Sequence, residues 1–189
     1  MKKRNLVLGS VVVLAALLVV GGTMAWFTAE SDPVENKFTA GKVEIELHDD
    51  FPEDGISNVN PGDEHSKVVY VENTGTIPIY VRVELTPEWK DAEGQDLGLT
   101  VSGADMATFP ILEGWELHEG WYYYTSPVAA GASTSNLIEE VIFAGAAMTN
   151  DYQGATFTLK VEAEAIQATN GAADGEWGIN PESLAPTAP

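Results

Sequence analysis

Three histidines, His48, His65 and His118, are the chain's whole supply of imidazole, and there is no cysteine at all. Together these limits exclude thiolate zinc sites, iron–sulfur ligation, disulfide scaffolds and a cysteine nucleophile. His118-Glu119 opens like the zinc-protease motif H-E-x-x-H, but the closing position is Tyr122. That motif needs two imidazoles one helical turn apart, and here the second is missing. His48 with Asp49 and Asp50 suggests a ligand cluster, yet the spacing matches no known ligand geometry; a solvated strand end followed by an acidic loop accounts for it. The loop from Asp49 to Gly55 lacks the alternation of an EF-hand, although its clustered carboxylates Asp49, Asp50 and Asp54 could still hold Ca²⁺ weakly. No G-x-S-x-G elbow, phosphate-binding loop or dinucleotide fingerprint occurs. The expectation is therefore a protein with no catalytic residue, no resident metal and no cofactor.

Charge and length set the wider frame. The 189 residues carry 29 acidic against 9 basic side chains, a formal net charge of −20. Nucleic-acid binders need clustered Lys and Arg, so this class is excluded. With 44% hydrophobic residues the chain is too apolar to be wholly disordered.

The N-terminus reads as an export signal over residues 1–25. Lys2, Lys3 and Arg4 precede an apolar run from Leu6 to Val20, and Thr23 and Ala25 stand as small residues before Trp26. A basic start, an apolar stretch of this size and small residues at −3 and −1 are what a signal peptidase requires. The run falls short of the ~20 residues of a spanning helix, so contact with the membrane is expected only before cleavage. Removal of three basic residues leaves 6 against 29 acidic ones, and the exported part carries −23. Export without cysteine points to a bacterial secreted domain. The C-terminal Ser183–Pro189 stretch offers no second anchor.

The body reads as strands. Val43, Ile45 and Leu47 alternate with Glu44 and Glu46; Val81, Val83 and Leu85 alternate with Tyr80, Arg82 and Glu84. Phe157, Leu159, Val161, Ala163 and Ala165 alternate with polar neighbours in the same way. Period-two patterning buries one face and wets the other, which is antiparallel sheet. Further strands are expected at Lys67–Glu72, Leu97–Val101, Trp115–His118 with Trp121–Thr125, and Asn136–Phe143. Glu119-Gly120 suits a two-residue hairpin turn, and Asn60–Asp63, Asn73–Gly75, Asp91–Gly94 and Ala130-Gly131 are turn signals. The pattern predicts an all-β antiparallel sandwich of jelly-roll or Ig-like kind over residues 37–168. Residues 26–36 form an extended segment before it, and residues 169–189 a flexible acidic, Pro- and Ala-rich tail. Trp121 with Tyr123, and Tyr122 with Tyr124, fall on opposite strand faces, so at least half of this cluster is core; a sugar-stacking platform is the alternative use.

Several stretches, taken in order, resemble one family. They are Gly21-Gly22-Thr23-Met24-Ala25-Trp26-Phe27-Thr28, Asn36–Val43, Asn60-Pro61-Gly62-Asp63, Val71-Glu72-Asn73-Thr74-Gly75, Trp121–Tyr124, Gly131–Thr134 and Val161–Ala168. The series resembles the TasA/camelysin family across nearly the whole chain. The resemblance implies jelly-roll subunits exported through a SipW-type signal peptidase and built into extracellular fibres of the Gram-positive biofilm matrix or cell surface. It also brings a surface-metalloprotease label from camelysin-like members, for which this chain shows no usable His-Glu spacing.

Two functions stand against each other. One is a secreted structural subunit that associates with itself or with related matrix subunits through β-strand addition; the other is a camelysin-like surface metalloendopeptidase, with a carbohydrate-binding module as a third reading. For the first, the residues of self-assembly are expected to be Trp26, Phe27, Thr28, Ala29 and Glu30, large apolar side chains at the new chain end followed by polar ones.

Overall fold

The computed structural model describes residues 39–50 and 60–186, in which the regular structure is mostly antiparallel sheet with almost no helix. The long strands are β1 (Ile45–Asp50), β2 (Glu64–Asn73) and β3 (Ile79–Lys90). Four two-residue pieces follow: β4 (Asp96–Leu97), β5 (Thr100–Val101), β6 (Ala104–Asp105) and β7 (Ala107–Thr108). Then come β8 (Trp115–His118), β9 (Trp121–Tyr124), β10 (Ile138–Phe143) and β11 (Thr156–Gln167). One sheet has the order β1-β2-β10-β7, the other β11-β3-β9-β8, with β4 on the end of β3.

The inner faces follow from the alternation. Val69 and Val71 of β2, Ile138, Val141 and Phe143 of β10, and Ile79, Val81, Val83, Leu85 and Trp89 of β3 form one buried cluster. Each such side chain removed from water contributes ~1.5–3 kcal/mol, so the two sheets are held mainly by this layer. The longest ladder joins β3 to β11 over its full length, from Ile79↔Gln167 to Lys90↔Thr156. Along β10 the register with β2 shifts between Ile138 and Glu140, and this irregularity lets Ile138 and Val141, three residues apart, both face the core.

The corner between β2 and β3 is built around Asn73, which has no exposed surface. Its amide Nδ2 donates to the Ile77 carbonyl at 2.9 Å and the Val128 carbonyl at 3.0 Å, and its Oδ1 accepts from Gly75 N–H at 3.0 Å. Its main chain donates to Ala132 and accepts from Gly131, both at 2.9 Å. Gly75 follows because the chain passes so close: a Cβ there would lie 2.3 Å from the Lys42 carbonyl oxygen. At the β8–β9 hairpin, Glu119 (φ 49°) and Gly120 (φ 90°) take the paired left-handed conformations of a type I′ turn, as the sequence suggests.

Two expectations need correction. Leu97–Val101 is not one strand: Gly98 interrupts it, and Ser102-Gly103, both at positive φ, turn the chain into a small β5–β6 hairpin. Residues 169–186 are not a flexible tail. A short helix, α1 (Ala172–Glu176), and a 3-10 turn over Pro181–Leu184 lie against the outer face of the second sheet, burying Ala173 and Pro181. The anchor is Arg82 on β3. Its guanidinium lies 4.3 Å from the Trp121 ring and 4.7 Å from the Trp177 ring. It donates to Glu164 through Nε at 2.9 Å and Nη2 at 2.7 Å, and to the Tyr123 hydroxyl at 3.1 Å. Tyr80 is covered by the same segment; burial, then the Glu182 carboxylate, raises its hydroxyl above the ordinary tyrosine value. The composition of the segment hid this, because one indole and two small buried residues fasten an otherwise polar stretch.

Two outcomes are expected. Asn73→Ala removes three hydrogen bonds at once, although the Val128 carbonyl keeps Ile79 N–H and the Gly75 N–H keeps the Glu44 carbonyl, and should lower the unfolding free energy by about 2–4 kcal/mol in urea titration; a loss below 1 kcal/mol would contradict this account. Trp177→Ala should lower stability by about 2 kcal/mol and speed amide exchange at residues 80–84, with β1 and β2 unaffected.

Candidate functional site

On the outer face of the first sheet, β1 and β2 place Glu46 directly opposite Glu72 and His48 directly opposite Tyr70. Period-two alternation puts Glu46 and His48 on one face, and the antiparallel register brings Glu72 to them. The ligand atoms of Glu46, His48 and Glu72 all lie within 4.8 Å of one another. His48 Nε2 is 3.3 Å from a Glu72 carboxylate oxygen, and its ring stacks on Tyr70 with centroids 4.4 Å apart and planes 6° from parallel. Among the described residues no Lys or Arg pairs with Glu46 or Glu72. One nitrogen and up to four carboxylate oxygens make a donor set suited to a divalent ion.

Only His48 of this group stands out in the sequence by itself. Glu46 and Glu72 are ordinary carboxylates in a very acidic chain, and their meeting depends on the β1–β2 register. The Asp49 and Asp50 cluster is not assembled in this form: neighbours on a strand point to opposite faces. Asp49 instead accepts from Lys67, whose Nζ lies 2.6 Å away with its side chain 5% exposed; Asp54 lies outside the described residues. The other imidazoles sit elsewhere. His65 packs edge-on against Phe143 with its Nε2 buried and unbonded, and His118 closes β8 in the second sheet beside Tyr123.

A second feature is a cleft of about 430 Å³ lined by Pro87, Trp89, Leu99, Phe109, Tyr122 and Phe157, among others. Trp89 is 2% exposed, and its indole N–H has no hydrogen-bond partner. Burial raises the Tyr122 hydroxyl above its usual value. The aromatic strand is otherwise engaged by the protein itself: Tyr122 and Tyr124 pack on the inner core, Tyr123 is buried with Trp177 edge-on at 5.8 Å, and Trp121 carries Arg82. The cleavage residues Thr23, Ala25 and Trp26, and the assembly residues Trp26, Phe27, Thr28, Ala29 and Glu30, lie outside the described residues, as does the apolar run before them. Among the described residues no helix is long and apolar enough to cross a membrane.

Comparison with known proteins gives a family and little more. No curated protein matches the chain. Among solved structures, the ASH/PapD-like domain of human CEP192 (PapD-like domain 7) is similar at 12% identity, over 74% of this chain and 83% of that one, with a TM-score of 0.37. Residues 2–113, more than half of the sequence, match the family model described as camelysin metallo-endopeptidase. The chain therefore belongs to the camelysin family, which includes the TasA-like proteins.

Proposed function

We propose that the protein is a secreted, non-catalytic structural subunit of the extracellular matrix or cell surface, a jelly-roll domain that joins its neighbours by β-strand donation. Family membership supports a surface or secreted protein. The observation that carries the assembly reading is the cleft walled by Pro87, Leu99, Phe109, Tyr122 and Phe157. A strand from a second copy supplies what such a wall lacks: large apolar side chains, each returning ~1.5–3 kcal/mol on burial. Trp26 and Phe27 are such side chains, placed at a chain end after signal cleavage, and Pro33 beyond them blocks ladder pairing at its own position. The ends of the sheets add template. β11 is a twelve-residue edge strand, and β1 closes the other sheet. A net charge near −23 opposes association, so salt or mildly acidic pH should favour it.

The family's description implies a hydrolytic metal, and the described residues do not fit one. Catalytic zinc commonly uses two or more imidazoles and an open position facing a substrate cleft. The Glu46–His48–Glu72 group has one imidazole and lies on a sheet face, while the cleft is lined by none of the three. No hydrolytic step is derived from it.

Deleting residues 26–34 should leave a folded monomer that no longer assembles but still accepts a donor and caps growing fibres. Leu99→Asp, at a cleft-lining position 44% exposed, should fold normally, donate, and accept at least about tenfold more weakly; negative-stain imaging and sedimentation read both. A deletion variant that polymerises as before would remove donation from the account. Replacing His48, His65 and His118 together with Gln should leave folding and assembly intact; a triple variant that loses a proteolytic activity of the parent would restore the peptidase reading.

A further inference from the structure

We propose that Glu46, His48 and Glu72 hold a divalent transition-metal ion that fastens edge strand β1 to β2, as a structural ion and not a hydrolytic one. The proposal is independent of strand donation and uses only the outer face of the first sheet.

Three observations converge. The first is spacing. Donors of a tetrahedral ion at ~2.0–2.1 Å stand roughly 3.4 Å apart, and His48 Nε2 lies 3.3 Å from the Glu72 oxygen. That is long for a charge-assisted hydrogen bond, which is typically ~2.7–2.9 Å. Glu46 is already within 4.8 Å of both, so side-chain rotation alone completes the set. The second is electrostatic. Two carboxylates directly opposite in an antiparallel pair repel each other, and here neither Glu46 nor Glu72 has a Lys or Arg partner among the described residues. A doubly charged ion neutralises the two carboxylates and turns the repulsion into a clamp. The third is orientation: the parallel stack on Tyr70 fixes the plane of the His48 ring, so the imidazole reaches an ion with little rotamer freedom left to lose.

The donor types name the ion class. An imidazole nitrogen selects zinc and its first-row neighbours over calcium and magnesium, which take oxygen ligands. Water completes the coordination on the open side. The site lies in the last three pairs before the corner at Asn73, where β1 has β2 as its one strand neighbour among the described residues.

Isothermal titration of zinc chloride into the metal-stripped full chain should show one ion bound per chain, with no comparable heat from calcium or magnesium chloride. His48→Gln and Glu72→Gln should each weaken zinc at least about tenfold. Without metal, Glu46→Gln should melt no lower than the parent, since it removes a like-charge pair; with zinc, the parent should gain more in melting temperature than Glu46→Gln, Glu72→Gln or His48→Gln. Unchanged zinc affinity in His48→Gln would overturn the site as adventitious binding to the acidic surface. Zinc-dependent cleavage of casein that disappears in His48→Gln would overturn the structural role, without touching strand donation, which the deletion of residues 26–34 tests separately.

Discussion

Asn73 has no exposed surface, and a primary amide withdrawn from water must find partners for its two N–H donors and its carbonyl. It finds all of them in the main chain, at Ile77, Val128 and Gly75. One side chain thereby sets the angle of the β2–β3 corner, draws in the loop at residues 128–132, and forces Gly75 so close to Lys42 that no side chain fits there. Since β2 lies in one sheet and β3 in the other, this corner is the first of several places where the chain crosses between the two layers. A half-satisfied amide here would be worse than an apolar residue, which is why the fit has to be complete.

Legibility in the sequence followed the physics of each element. β1, β3 and β11 were readable because period-two burial writes itself into residue type, and the β8–β9 turn because only certain residues accept positive φ. The pieces between Asp96 and Thr108 were not, since two-residue strands carry no period. Residues 169–186 were misread because their docking depends on Arg82 and Trp121, nearly a hundred positions earlier for the former. The Glu46–His48–Glu72 group was invisible for a similar reason: register is a property of paired strands, and no spacing along one strand encodes it.

The two outer faces of the sandwich have been put to different uses. The face of the second sheet is closed by the chain itself, with a guanidinium stacked between two indoles and a carboxylate gripping it from β11. That arrangement depends on a planar, delocalised cation, and a lysine ammonium would not reproduce it. On the face of the first sheet, Glu46 and Glu72 have no Lys or Arg partner among the described residues. In a chain with 9 basic residues, where those few are spent indicates what has to be held shut.

The ladder between β3 and β11 joins segments far apart in sequence; its Arg82–Glu164 pair is separated by 82 positions. A chain is synthesised from its N-terminus, so β3 emerges with Ile79, Val81, Val83 and Leu85 long before its partner exists. Closing so large a loop is slow relative to local pairing. For that interval β3 is an unpaired apolar edge, open to the same strand of another nascent chain. The β3–β11 ladder therefore closes after the local pairings around it.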